Sequence, residues 1–368
     1  MKVIHINSDY GNTIYKALSE KLFNLGIEQK VYKFTRPNLY KGDIYNDYVD
    51  VRVNHKNYER YIFHLKHKKV LKDFLNLYKE EKIDLIHAHT LFSNGYIAYK
   101  VFKKKNIPYI VTVRGTDISV FFKYMKHLNG TGLRILLNAK EIIFVSPAHK
   151  SIIINKYIPK KYKKEILDKI TVIPNGIDSY YIENLGPPKT IDFSKEIRII
   201  TPAWINNNKN QLNLCKAIQL LNNRGFNIKY SLIGGTENKN KYKKLKEKLD
   251  SYEFVEILPR VNKIDLLQEY RNCTITAMVS FKETFGLSYI ESLSQSTPII
   301  YSENRGIDGY FEEGEVGYHA NPFSIKDIAD SIEKTINDYN QLSKNAGKHI
   351  SEFRWINIAK QIAEIYIK

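Results

Sequence analysis

Cysteine is nearly missing from this chain: Cys215 and Cys273 are the two in 368 residues. They stand far apart in apolar contexts, which excludes a disulfide framework and reads as reduced, buried thiols of a cytosolic protein. No cysteine or histidine spacing of a zinc site occurs, and there is no Asp-x-Asp pair. No apolar run approaches the ~20 residues needed to cross a bilayer. The opening Met1-Lys-Val-Ile-His-Ile reads as a strand, because it lacks the long apolar stretch and small residues of a secretory leader. Internal repeats and low-complexity tracts are absent as well. Acidic residues are in deficit, 39 Asp and Glu against 57 Lys and Arg, which leaves a net charge of +18. That excess suits an anionic partner such as a membrane surface, a nucleic acid or a phosphorylated substrate, or simply forms solvated lysine faces. No base-reading motif supports nucleic acid.

What is present is length and periodicity. A chain of 368 residues with 43% hydrophobic content predicts two domains with ordinary cores. Short apolar runs at 3–7, 29–34, 84–89, 109–113, 141–146 and 170–174 alternate with amphipathic stretches, the first of them 13–25, closed by Gly26. This is the pattern of a parallel sheet wound with helices. A second series begins at 197–202 and continues with 229–233, 255–258, 275–279 and 299–301. Between the two series, Pro187-Pro188 reads as a stiff linker. Residues 52–82 read as a basic, aromatic helix, with Arg60, Lys66, Lys68, Lys69 and Lys72 among Tyr61, Phe63, Leu65, Val70 and Phe74. Such a helix either lies on an anionic membrane or packs a core-facing stripe under a wet face. The cluster 160–164 reads as an exposed loop or helix start. The histidines of His87-Ala-His89 point the same way on an extended segment, but no further metal ligand is obvious.

The most informative segment is Ser280-Phe-Lys-Glu283-Thr-Phe-Gly-Leu-Ser-Tyr-Ile-Glu291. A buried strand precedes it, a helix follows over 287–293, and Pro298 leads into the next strand. One carboxylate thus lies in the loop above a sheet and the other in the first turns of a helix. Between them, the amides of Thr284, Phe285, Gly286 and Leu287 open that helix, where an anion fits. Carboxylates accept bonds from sugar hydroxyls and helix amides donate to phosphate, the two requirements of a nucleotide sugar. As a bland alternative, two glutamates at a helix start are favourable in any case.

Ser280, Glu283, Phe285, Gly286, Glu291 and Pro298 together resemble the signature of the family 4 retaining glycosyltransferases, and the resemblance extends over nearly the whole chain. It implies the GT-B fold: two Rossmann-like α/β domains with mainly parallel sheets facing a central cleft. The boundaries expected are 1–185 for the acceptor-side domain, 186–351 for the nucleotide-sugar domain, and a helix at about 352–368 that returns to the first. Pro174-Asn175-Gly176-Ile-Asp178 and Phe353-Arg-Trp355 are further family-like features, with Trp355 read as packing.

By resemblance, Glu283 binds the donor sugar and stabilises the charge developing on it, and Glu291 binds ribose. The amides of Thr284 to Leu287 and the Lys209 ammonium stabilise the leaving diphosphate. Gly234 belongs to a Gly-x-Gly-like turn, Arg260 stacks on the base, and Gly11 lets the substrate approach the backbone. Arg114-Gly-Thr-Asp117 matches the family pattern at Gly115, Thr116 and Asp117, but Arg114 replaces the usual histidine beside the reacting carbon. A guanidinium there holds a phosphate or carboxylate instead. Trp204 stands where the phosphate-binding arginine is expected. His89 is implied as a structural or acceptor-side residue.

The implied activity is metal-independent, cofactor-free transfer of a sugar from a nucleotide sugar, UDP-linked by default. The acceptor is a hydroxyl of a glycan or lipid-linked molecule, and transfer proceeds with retention. The implied setting is cell-envelope polysaccharide synthesis in a bacterial cytoplasm, with peripheral membrane association. A nucleotide-sugar 2-epimerase and a non-catalytic partner subunit, the latter motivated by Trp204 and Arg114, are the alternatives. A glycoside hydrolase is disfavoured because one glutamate lies on the nucleotide side.

Overall fold

A computed structural model describes residues 1–40, 42, 45–192, 195–236 and 239–368, with Lys239 described by its backbone alone. The chain divides into two compact units, one of residues 1–145, 149–174 and 355–368, the other of 146–148 and 175–354.

In the first unit, seven strands among the described residues form one sheet: β1 (Lys2–Ile6), β2 (Glu28–Thr35), β3 (Val49–Val53), β4 (Leu85–Ala88), β5 (Tyr109–Val113), β6 (Glu141–Phe144) and β7 (Ile170–Val172). Their order is β3-β2-β1-β4-β5-β6-β7, all pairs parallel. Parallel strands are covered on both faces, which is why β5 is wholly buried and apolar except for Thr112. Helix Thr13–Asn24 starts where Asn12 Oδ1 accepts from the Ile14 amide at 3.3 Å. The last helix, Trp355–Ile367, completes this unit. Ile358, Ala359, Ile362 and Tyr366 share a core with Val3, Leu18, Leu22, Leu85 and Ile110, and Trp355 packs at its margin. The expected return of this helix, and the packing role of Trp355, are both observed.

The second unit holds β8 (Ile197–Pro202), β9 (Ile228–Ile233), β10 (Val255–Leu258), β11 (Ile275–Ala277), β12 (Ile299–Ser302) and β13 (Gly317–Ala320) in the order β10-β9-β8-β11-β12-β13, again all parallel. Each sheet therefore reverses its winding once, between β1 and β4 and between β8 and β11. Ligands of such sheets bind at the carboxyl ends of the strands flanking that point. Cys215 and Cys273 are free and buried, as expected. Among the described residues no helix is long and apolar enough to cross a membrane.

Three expectations are corrected. The segment 52–82 is not one helix: β3 ends at Val53, a 3₁₀ turn covers Asn57–Tyr61, and the helix is Phe63–Leu77. That helix buries Phe63, His67, Val70 and Phe74, so its apolar stripe faces core. The cluster at 160–164 opens the helix Lys160–Leu167, in keeping with the helix-start reading. The boundary falls after Pro174, not at 185, and Pro187-Pro188 is no free linker. Gly186 donates to the Ser294 carbonyl at 2.9 Å and accepts from Ser296 Oγ at 2.8 Å. Three residues on, the Lys189 ammonium binds the carbonyls of Tyr270 and Cys273 at 2.7 and 3.0 Å. Earlier in the chain, Ile177, Tyr181 and Ile182 belong to the second unit's core.

Gly317 opens β13 directly against Ile299. A Cβ there would lie 1.8 Å from the Ile299 carbonyl oxygen, so strand pairing requires glycine. Gly317→Ala should lower stability by roughly 3 kcal/mol, the cost of a buried backbone clash. A melting temperature unchanged by that substitution would contradict this register.

Candidate functional site

The second unit's switch point is built by lacing two loops. After β8 the chain runs through Ala203–Asn208 into a 3₁₀ turn, Asn207–Lys209, and then helix Gln211–Asn222. Asn206 Oδ1 accepts from the Lys209 amide at 3.1 Å and fixes the turn. Asn210 takes a left-handed conformation (φ 57°), and its buried amide group donates to the Val279 and Pro322 carbonyls at 3.0 and 2.7 Å. The loop after β11 answers with Phe281 N to Asn208 O at 2.8 Å, while Asn208 Nδ2 donates to Lys282 O at 2.9 Å. These bonds leave Lys209 facing Glu283, and the ammonium meets Glu283 Oε2 at 2.7 Å. Both side chains are largely shielded, at 21% and 14% exposure. The other carboxylate oxygen accepts from the Thr284 amide at 3.1 Å. Phe285 is buried, and Gly286, at φ 91°, sits where a Cβ would strike the Tyr289 ring, so glycine alone starts helix Leu287–Leu293 there.

A cavity of about 310 Å³ opens beside the β8 loop, lined by Tyr181, Trp204, Gly234, Arg260, Lys263 and Glu291, among others. Gly234 (φ 147°) admits the Ala203 carbonyl, which a Cβ would approach to 2.8 Å, so the loops after β8 and β9 meet there. The Arg260 guanidinium lies 5.9 Å from the Trp204 ring centroid, in reach of a cation–π contact. An arginine thus stands against the very position where the sequence substitutes tryptophan. Glu291 receives a bond from Tyr270 Oη at 3.0 Å. Burial pushes its carboxyl up to about 7, against the pull of that bond. Lys263 is paired with Asp178 at 2.9 Å.

The sequence-derived residues thus fall into separate groups. Lys209, Glu283, Thr284, Phe285, Gly286 and Leu287 lie on the laced loops and the helix that leaves them, while Glu291, Arg260 and Gly234 line the cavity. Gly11, Arg114 and Asp117 belong to the first unit. There Asp117 is fully buried and its carboxylate accepts from the Leu91, Phe92 and Arg114 amides at 2.9, 3.1 and 2.9 Å. It ties the loops after β4 and β5 together. The Arg114 guanidinium lies 5.3 Å from the Tyr15 ring centroid. Gly11 (φ 126°) packs on Tyr45. Sequence reasoning missed Tyr270, Tyr181 and Lys263. For Tyr270 and Lys263 the signal was the strand that ends at Leu258, since the helix Lys263–Asn272 follows its carboxyl end, whereas Tyr181 comes from the separate short helix Ser179–Glu183.

His87 and His89 acquire a third neighbour, His5 on β1, with ring nitrogens of all three within 4.8 Å of one another. His5 Nδ1 and His89 Nε2 share a bond of 2.9 Å. His87 uses both nitrogens, on Tyr366 Oη at 2.6 Å and Thr112 Oγ1 at 2.8 Å. Burial lowers the basicity of all three. The cluster is a buried, partly hydrogen-bonded part of the core, in which His5 Nε2 and His89 Nδ1 have no hydrogen-bond partner among the described residues.

Comparison with known proteins matches residues 187–351 to the family model described as glycosyl transferases group 1. Residues 12–180 match glycosyltransferase family 4. An uncharacterized glycosyltransferase of Methanocaldococcus jannaschii is 25% identical over 306 residues, which are 79% of this chain and 77% of that one. The alpha-monoglucosyldiacylglycerol synthase of Acholeplasma laidlawii is 24% identical over 316 residues, 81% of this chain and 78% of that one. Among solved structures, Anabaena HepE in complex with UDP superposes with a TM-score of 0.73 at 18% identity, covering 99% of each chain.

The raised Glu291 carboxyl fixes the sign of a pH effect. Between its ordinary value of 4.5 and about 7 the folded chain holds a proton that the unfolded chain releases. Stability from this group is therefore complete below 4.5 and is lost as pH rises to about 7. Glu291→Gln removes the loss, so its melting temperature should gain on the wild type between pH 4.5 and 7.5, by the equivalent of about 3 kcal/mol. Parallel stability curves for the two proteins would show that Glu291 is solvated.

Proposed function

Because the chain belongs to glycosyltransferase family 4, we propose that it moves a sugar from a UDP-sugar to a hydroxyl of a glycan or lipid-linked acceptor, with retention of anomeric configuration. The observation that carries this reading is the Lys209–Glu283 pair, set at the carboxyl ends of β8 and β11. In this reading the base and ribose occupy the cavity beside the β8 loop. Arg260 and Trp204 offer flat faces to the base, and Glu291 accepts from ribose hydroxyls. Glu283 accepts from hydroxyls of the transferred sugar. Lys209 and the amides of Thr284 to Leu287 meet the diphosphate.

As the bond from the anomeric carbon to the diphosphate oxygen breaks, negative charge grows on the phosphate and positive charge on the sugar. A cation and an anion already fixed 2.7 Å apart then face charges of the complementary sign. The new bond forms from the acceptor oxygen on the same face of the sugar, and the departing diphosphate oxygen takes the acceptor's proton. This assignment leaves no step that calls for a metal. UDP as the nucleotide is supported by the UDP bound in the Anabaena neighbour. A lipid-type acceptor is supported by the diacylglycerol named in the Acholeplasma relative.

A thermal-shift panel tests the donor. UDP and UDP-sugars should raise the melting temperature, and GDP or ADP should not. Lys209→Ala and Glu283→Ala should each lower kcat/KM by roughly 10²–10³, the scale of a lost transition-state donor. A chelator should leave turnover unchanged, and the product anomer read by NMR should match the donor. Undiminished turnover in either variant removes the mechanism. Nucleotide binding without transfer to any acceptor would make the chain a non-catalytic partner.

A further inference from the structure

The first unit carries a cavity of its own, about 290 Å³, lined by residues that follow β1, β2 and β4. Three cations from separate elements face it: Arg36 immediately after β2, Arg60 on the 3₁₀ turn, and Lys66 on helix Phe63–Leu77. Neighbouring cations are neutralised, since Lys30 pairs with Glu81, Arg52 with Asp73 and Lys69 with Glu59. Arg36, Arg60 and Lys66 have no ion pair among the described residues. Arg36 Nε is buried with no hydrogen-bond partner among them either. A buried guanidinium N–H without an acceptor is costly, and an anionic ligand would satisfy it.

The remaining lining is consistent with that. Lys66 lies 5.3 Å from the Phe34 ring centroid, and burial together with Arg36 and Arg60 lowers its ammonium to about 8. Asp9 acts in the opposite direction. The other lining acid, Asp117, has given its oxygens to three backbone amides. His55 is pushed down to about 4 by burial and by Lys66, so it stays neutral. Three cations thus face one open carboxylate.

We propose that this cavity is the acceptor pocket and that the acceptor carries a phosphate group, held by Arg36, Arg60 and Lys66. A single guanidinium fork satisfies a planar carboxylate, whereas cations arriving from three elements suit a tetrahedral dianion. Asp9 and the hydroxyls of Thr35 and Thr90 are left for the carbon skeleton, for which the cavity has room. The word acceptor rests on the transferase reading; the anion site rests on the cavity alone.

Calorimetric titration of the full chain with glycerol 3-phosphate, and with glycerol as control, tests it. Glycerol 3-phosphate should bind and glycerol should not. Arg36→Gln and Lys66→Gln should each weaken binding by roughly tenfold, one lost charge-assisted bond. UDP binding should be unchanged in both variants, and Lys209→Ala should leave glycerol 3-phosphate binding intact. Equal binding by wild type and both variants, or none at millimolar ligand, overturns the proposal.

Should a variant fail to fold, acetylation of Lys66 in the wild type decides. Glycerol 3-phosphate should slow it and glycerol should not, and equal labelling overturns the proposal. Vesicles of phosphatidic acid, compared with phosphatidylcholine, separate the sources. Variant-sensitive binding to the former supports a lipid-borne phosphate, and binding of glycerol 3-phosphate alone supports a soluble one. If UDP fails to bind while the phosphate pattern holds, the transferase reading falls and the anion site stands.

Discussion

The buried amide of Asn210 is the contact on which the second unit's chemistry depends. Two carbonyls, one from the loop after β11 and one from the loop after β13, converge on one side chain. A buried carbonyl without a donor is expensive, so all three segments are held wherever that amide sits. Lys209 immediately precedes it in sequence and inherits the constraint. The meeting of Lys209 with Glu283 then follows from backbone geometry, not from the attraction between two flexible side chains. A partly shielded ion pair alone is a weak organiser, because desolvation offsets much of its Coulomb energy. Here the scaffold places the charges, and the pair is preorganised for a ligand that carries both signs.

Much of the architecture was legible because its signals are local. Helix Leu287–Leu293 lies where the periodicity placed it, since a strand, a glycine at positive φ and a following proline all punctuate the same stretch. Two doubly wound parallel sheets likewise follow from the alternation of apolar runs and helices, while the GT-B fold is what the family resemblance implies. The segment from 52 onward misled because its basic and aromatic composition runs unbroken through the end of β3 and a 3₁₀ turn before the helix begins at Phe63. Pro187-Pro188 misled because proline stiffens a chain whether or not it is packed. What fixes it is the contact of Gly186 with Gln295, more than a hundred residues away in sequence.

The site was legible as a set of residues but not as a set of pairs. Trp204 and Arg260 were each singled out, one as a loss and the other as a stacking group, and only the fold brings them into one cavity. Glu291 was found by its place in a motif. That burial pushes its carboxyl up to about 7, against the pull of the Tyr270 hydroxyl, is nothing the motif encodes. In the first unit, Arg60 and Lys66 were read as part of a helix face turned to solvent or to an anionic membrane, and Arg36 was passed over. Its position at the carboxyl end of β2 was the available clue, because open α/β sheets bind ligands along that edge.

The first unit is not contiguous in the chain. Its core holds Ile358, Ala359, Ile362 and Tyr366 against Val3, Leu18 and Leu85, and Tyr366 supplies a hydroxyl to buried His87. On the ribosome, those residues emerge only after the entire second unit has been made. Until then the early sheet has an uncovered apolar face and a histidine lacking one partner. The order of synthesis is therefore the reverse of what the domain numbering suggests: the second unit is complete in sequence first, and the first closes last. A nascent chain stalled before Trp355 would expose that face to chaperones, whatever the state of the residues that bind nucleotide.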